Sequence, residues 1–201
     1  MVIRKNLKKK SALISVFDKK NLKYLCSNLI ENNYRLISTG STGKKIKSMG
    51  FQSTDITKIT KFKEMFDGRV KTLNPLIYAS LLYVRDDKEQ KNKFLRLKTP
   101  EIDLVIINLY PFERFYKSKK ESEVIEMIDI GGPSLLRAAS KNYKFVTPIM
   151  NLEDYPKLIK NIRKNNGETD MMFRKKMAYK VFKEVSNYDK TIAKWFNEIK
   201  K

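Results

Sequence analysis

Two hydroxyl-rich turns and a pair of basic residues have the types and spacing to hold an anion. Ser15 and Lys19 flank the end of one apolar run, and Thr39-Gly40-Ser41-Thr42 follows a second. Each run is followed by a segment with helical spacing. The first N–H groups of a helix lack partners and carry the positive end of its dipole. Ser15, Lys19, Thr39, Gly40, Ser41 and Thr42 together can therefore cradle one phosphate, although ordinary capping uses the same residue types. The turn is neither a Walker A loop nor a dinucleotide fingerprint. Arg69 and Lys71 lie two apart beside Thr72. In an extended segment both side chains leave on one side, which suits an oxyanion. Two solvated charges are the alternative.

A second group could carry out proton transfer and charge stabilisation. Asp129 precedes Gly131-Gly132-Pro133, where paired glycines permit close backbone approach to a ligand and Pro133 suits the first position of a helix. Ser134, Arg137 and Lys141 then share one helical face, with Lys141 about 10 Å along the axis from Ser134. Asn108 and Tyr110 end the most apolar strand, at the edge where open α/β sheets bind ligands. A wet helix face and a core-closing aromatic are the plain alternatives. The sequence contains no His and one Cys. That excludes His-dependent triads, His metal sites and a disulfide framework.

The elements that must position these residues alternate. Ser11–Phe17 reads as a strand, and Leu22, Leu25, Cys26 and Leu29 mark a helix, with Cys26 in the core. Tyr34–Ser38 is a strand, 39–43 a turn, and Lys44–Met49 a helix stopped by Gly50. This is the rhythm of a parallel α/β sheet. Thr54–Phe66 is weakly patterned, 67–72 is a polar loop, Leu76–Val84 is strand or helix, and Lys88–Lys98 reads as a charged linker. Ile102–Leu109 is the best strand, apolar throughout and so central. A short helix at 122–127, the turn at 129–134, a helix, and a strand at 145–149 follow. Residues 152–199 read as helices broken at Asn165-Asn166-Gly167. The expected organisation is a basic extension over 1–10 and one domain over 11–201.

The chain carries 43 Lys+Arg against 22 Asp+Glu, a formal charge of +21. Its lysines are scattered and lack the interleaved aromatics of a nucleic-acid groove, so no specific nucleic-acid partner is expected. A positive field raises the local concentration of a phosphorylated substrate. No apolar run approaches the ~18 residues of a membrane helix, and Ala12–Phe17, broken by Ser15, is too short for the apolar region of a signal peptide. The expectation is a cytoplasmic protein with no membrane partner.

Five segments occur in an order that resembles one family. They are Ser15-Val-Phe-Asp-Lys19, Leu36-Ile-Ser-Thr-Gly40-Ser-Thr42, Met65-Phe-Asp-Gly-Arg-Val-Lys-Thr-Leu73, Asp103-Leu-Val-Ile-Ile-Asn-Leu-Tyr-Pro-Phe112 and Ile128-Asp-Ile-Gly-Gly-Pro-Ser-Leu-Leu-Arg-Ala-Ala-Ser-Lys-Asn142. Together they resemble the IMP cyclohydrolase domain of the bifunctional AICAR transformylase/IMP cyclohydrolase family of purine biosynthesis. The likeness runs from about Ser11 to Asn187-Tyr188-Asp189. It implies an α/β, methylglyoxal-synthase-like fold: a mostly parallel central sheet flanked by helices, with a helical C-terminal part. It implies the dehydrative ring closure of FAICAR to IMP, without metal or cofactor.

By the same resemblance the phosphate falls to Ser15, Lys19, Thr39, Gly40, Ser41, Thr42, Arg69 and Thr72. Lys71, Tyr110, Asp129 and Lys141 take catalytic roles, and Asn108, Ile130 and Gly131 position the base. Lys141 matches the group that stabilises the formyl oxyanion, Asp129 the one that orients the carboxamide, and Tyr110 with Lys71 a proton relay. The sequence departs from the family at Asn74 and Tyr78, where the family has His, at Ala79-Ser80, and at Phe17, where it has Ser. A catalytically weakened nucleotide-binding relic is therefore the alternative, and a methylglyoxal synthase is disfavoured by the missing His. The chain ends where the family's transformylase domain begins, so a stand-alone enzyme and a truncated form are both open. So are a homodimer and a separate AICAR transformylase as partners.

Overall fold

The computed structural model describes residues 9–66, 68–116 and 120–199. Most of the basic extension, Asp67 of the polar loop, and Lys117-Ser-Lys119 lie outside the described residues.

Five strands form one parallel sheet: β1 (Lys10–Val16), β2 (Tyr34–Ser38), β3 (Thr54–Asp55), β4 (Leu104–Asn108) and β5 (Thr147–Ile149). Their order is β3-β2-β1-β4-β5, with every pairing parallel. The chain builds outward from β1 on one side, then crosses back to lay β4 on the other. β1 and β4 are thus neighbours whose onward connections diverge, and that divergence leaves a crevice at their carboxyl ends.

Alternation along the strands divides the core between the two faces. Ala12, Ile14, Val16, Leu104 and Ile106 pack against α1 (Leu22–Glu31) and α9 (Tyr155–Lys164). Leu13, Val105 and Ile107 pack with residues of α4 (Pro75–Leu82), α8 (Gly131–Lys141) and α10 (Met171–Glu198). Burial on both faces explains why β4 is apolar throughout. A third cluster of Phe112, Tyr116, Val124 and Trp195 binds α6 (Phe112–Phe115) and α7 (Glu121–Ile125) to the end of α10.

Three local expectations change. α2 spans Gly40–Ser48, so the expected turn at 39–43 is mostly the first helical turn. Gly40 accepts a left-handed φ of +38° there. The expected linker at 88–98 is α5 (Lys88–Arg96), capped by the Asp87 carboxylate on the Gln90 N–H. Its apolar residues are too few for a periodic signal, and only Phe94 is buried. Pro133 is the third helical residue rather than the first. The ambiguous Leu76–Val84 segment is helix α4, with Asn74 as its cap. A short helix α3 (Ile56–Thr60) follows β3, which is too brief to register in a pattern. No helix among the described residues is long and apolar enough to cross a membrane.

α10 is fastened by a buried carboxylate. Asp154 is 2% exposed and accepts from Lys157 Nζ at 3.1 Å and Lys180 Nζ at 2.5 Å. Removing one partner of a buried pair leaves charge uncompensated. Lys180→Met is expected to lower unfolding free energy by about 2 kcal/mol, the remaining Lys157 moderating the loss. Adding Asp154→Asn should recover part of that loss, as measured by urea denaturation.

Candidate active site

The crevice between β1 and β4 opens into a cavity of about 680 Å³. Ser15, Thr39, Ser41, Thr42, Arg69, Lys71, Thr72, Asn108, Tyr110, Asp129, Ile130 and Gly131 all line it. The first turns of α2 and α8 both face it, so two positive helix ends converge on one space.

Thr42 docks α2 onto β1. Its buried hydroxyl accepts the Val16 N–H at 3.0 Å and donates to the Val16 carbonyl at 3.1 Å. The Ser15 and Thr39 hydroxyls share a hydrogen bond of 2.8 Å. No side chain caps the first turn of α2. A Cβ added at Gly40 would lie 3.9 Å from Lys71 Nζ, and one at Gly68 would lie 3.5 Å from it. The Lys71 ammonium is thus set among glycine turns at the start of α2. Arg69 is at the mouth, paired with Glu126 through its Nε at 3.2 Å and through Nη2. That hydrogen bond holds the exposed Glu126 carboxyl below the usual carboxylate range.

The glycines at the start of α8 permit close contacts. A Cβ at Gly131 would come within 2.5 Å of Thr72 Oγ1, and one at Gly132 within 2.6 Å of Asp129 Oδ2. Asp129 Oδ1 accepts the Gly132 N–H at 2.8 Å, so the carboxylate is held at the helix start. Tyr110 leans edge-on against Phe17, with ring centroids 4.3 Å apart at 64°.

Five expected residues are placed differently, among them Gly40, which lines neither cavity, and Thr42, whose hydroxyl is spent on Val16. Asn108 lines the cavity, but its amide is committed to the chain. Oδ1 accepts the Phe17 and Asp18 N–H groups at 2.7 and 2.9 Å, and Nδ2 donates to the Asp18 carbonyl at 2.9 Å. Lys19 turns back on the carbonyls of Val16 and Phe17, at 3.4 and 3.2 Å, and lines a neighbouring cavity of about 820 Å³ instead. Lys141 is the exposed last residue of α8, about 15 Å along the axis from Gly131 at helical rise, and lines neither cavity.

The departures at Asn74 and Tyr78 fall outside both cavities. Asn74 caps α4 by accepting the Leu76 N–H at 2.9 Å, and the Tyr78 hydroxyl donates to Ser134 Oγ at 2.6 Å. Phe17, by contrast, lines both cavities.

Sequence reasoning missed Glu126 and Tyr188. The Tyr188 hydroxyl accepts the Asp129 N–H at 2.9 Å and donates to the Met127 carbonyl at 3.3 Å. Burial raises its phenol pKa, and the Asp129 N–H partly opposes that rise. Nothing in its local pattern separates it from any inward helical tyrosine. Among the described residues no group of three or more His, Cys, Asp or Glu side chains is placed to hold a metal ion.

The sheet is parallel, its ligand-sized cavity lies at the switch point, and two glycine-bearing turns face it. The chain belongs to the MGS-like domain family, which residues 21–134 match. Residues 139–201 match the AICARFT/IMPCHase bienzyme family. Among relatives, it is 45% identical over 191 residues to the bifunctional purine biosynthesis protein PurH of Lactobacillus acidophilus, covering 94% of this chain and 37% of that protein. With the PurH of Rhizobium rhizogenes it shares 43% identity over 190 residues, 94% of this chain and 35% of the other. The chain therefore spans little more than a third of the length of these curated relatives. The crystal structure of ForH superposes with a TM-score of 0.84 at 26% identity, covering 94% of this chain and 97% of ForH. The likeness supports the methylglyoxal-synthase-like fold expected from the motifs.

Asn108 is the brace on which the turn after β1 depends. Asn108→Ala is expected to cost about 1–2 kcal/mol by leaving two N–H groups to weaker partners. Denaturant unfolding measures the loss, and faster amide exchange at Phe17 and Asp18 locates it.

Proposed function

We propose that the chain is an IMP cyclohydrolase, closing the second ring of FAICAR with loss of water to give IMP. The observation that carries this reading is the convergence of the anion cradle with Lys71, Tyr110 and Asp129 on one cavity. Near-full coverage of this chain by PurH relatives supports it.

In this reading the ribotide phosphate sits at the start of α2, against its uncapped N–H groups and the Ser15 and Thr39 hydroxyls. Arg69 and Thr72 close on it from the loop before α4. The ring end then lies toward α8, where Ile130 and Gly131 form the floor. Asp129 orients the carboxamide and takes a proton from its nitrogen as that nitrogen attacks the formyl carbon. Negative charge develops on the formyl oxygen and is stabilised by the N–H groups at the start of α8, while the Lys71 ammonium works with Tyr110 in the proton relay. Tyr110 gives that oxygen one proton and Asp129 passes on the one it took, so the oxygen leaves as water, while the formamido nitrogen returns a proton to Tyr110 as the new C=N bond forms. Holding the two reacting groups in near-attack geometry supplies much of the acceleration.

The proposal extends to a cytoplasmic setting and to a transformylase that supplies the formylated substrate. A homodimer is tested directly by sedimentation.

Purified protein mixed with FAICAR, followed by IMP absorbance, tests the reading. Turnover is expected above the spontaneous rate. Lys71→Met and Tyr110→Phe should each lower kcat by about 100-fold or more. Lys141→Ala, on the far turn of α8, is expected to cost less than Lys71→Met. A wild-type rate equal to the uncatalysed one would refute the assignment.

A further inference from the structure

α10 lies outside the stretch that matches the MGS-like domain, yet one of its side chains grips the loop that carries Asp129. The Tyr188 hydroxyl takes the Asp129 N–H at 2.9 Å and gives its own proton to the Met127 carbonyl at 3.3 Å. The two bonds span two residues of the segment between α7 and α8, which has no regular ladder of its own. The Tyr188 ring is set in place by Phe112, edge-on with centroids 6.3 Å apart. Phe112 is 1% exposed and belongs to the cluster that joins α6, α7 and α10. On its other side Asp129 is tied through Oδ1 to the Gly132 N–H at 2.8 Å. The carboxylate therefore has two anchors, the start of α8 for its side chain and α10 for its backbone.

We infer that Tyr188 is a positioning residue, holding Asp129 at the cavity from a helix outside the MGS-like stretch and acting on ring closure through Asp129 alone. The kinetic part of this inference rests on the proposed cyclohydrolase activity. The hold on the loop is independent of that activity. A catalytic carboxylate displaced by about 1 Å loses on the order of 100-fold in rate. A lone phenol 59 residues away in the chain is thus sufficient to set the activity of the site.

Tyr188→Phe tests this, because it keeps the ring against Phe112 and deletes only the hydroxyl. The expected kcat is lower by roughly 10- to 100-fold, with KM for FAICAR and Kd for IMP within about threefold, because the phosphate cradle belongs to other elements. Hydrogen exchange should be at least about tenfold faster at the Asp129 amide and unchanged across β1 and β4. Tyr188→Leu, which also removes the ring, should lower Tm while its folded fraction retains the kcat of Tyr188→Phe. A Tyr188→Phe enzyme with wild-type kcat, or with wild-type exchange at Asp129, overturns the role. So does a loss of kcat accompanied by faster exchange throughout the sheet, which marks a merely structural residue. If wild-type protein fails to turn over FAICAR, the activity assignment falls. In that case exchange at Asp129 in the variant alone decides whether Tyr188 holds the loop.

Discussion

The pairing of β1 with β4 is the constraint on which the site depends. These strands are adjacent in the sheet but distant in the chain, and their carboxyl ends must stay together for the crevice to exist. Backbone pairing reaches Val16 opposite Asn108 and then ends. The Asn108 side chain continues the connection by holding Phe17 and Asp18 through three hydrogen bonds. An amide suits this place because it offers an acceptor and donors from one planar group. Tyr110 emerges two residues later and finds Phe17 where Asn108 has fixed it.

Around that brace the cavity is built by close approach. Helix α2 comes against β1 through Thr42, and α8 comes against the Thr72 loop because Gly131 carries no side chain. The result is two helix starts facing one space, with Lys71 beside the first and Asp129 held at the second. A net charge of +21 adds a long-range attraction for phosphorylated molecules, while the helix ends supply direction. The two matched families meet in this structure, since α8 spans the whole boundary between them and α10 returns to touch the loop before α8.

Four of the five strands, and the places where hydroxyls and glycines cluster, were legible because they depend on local rules. Apolar runs of strand length marked β1, β2, β4 and β5, and helical spacing marked α1. α5 was hidden, since a helix that buries only Phe94 has almost no apolar periodicity. Asn74 and Tyr78 drew attention as departures from a family pattern, and the fold places them on α4, outside the cavity. Phe17 is the departure that does reach it.

By itself, the sequence determined which residues could do chemistry, the order of the elements that bear them, and the absence of any imidazole to share the work. Tertiary structure decided which of those residues meet. It committed Asn108 to the backbone, folded Lys19 onto neighbouring carbonyls, left Lys141 at the remote end of α8, and brought Tyr188 across to Asp129. The reason is physical: local patterns report burial and helix or strand period, whereas a hydrogen bond between residues many tens apart depends on how whole elements pack. That packing sums over the entire core, and no short segment contains it.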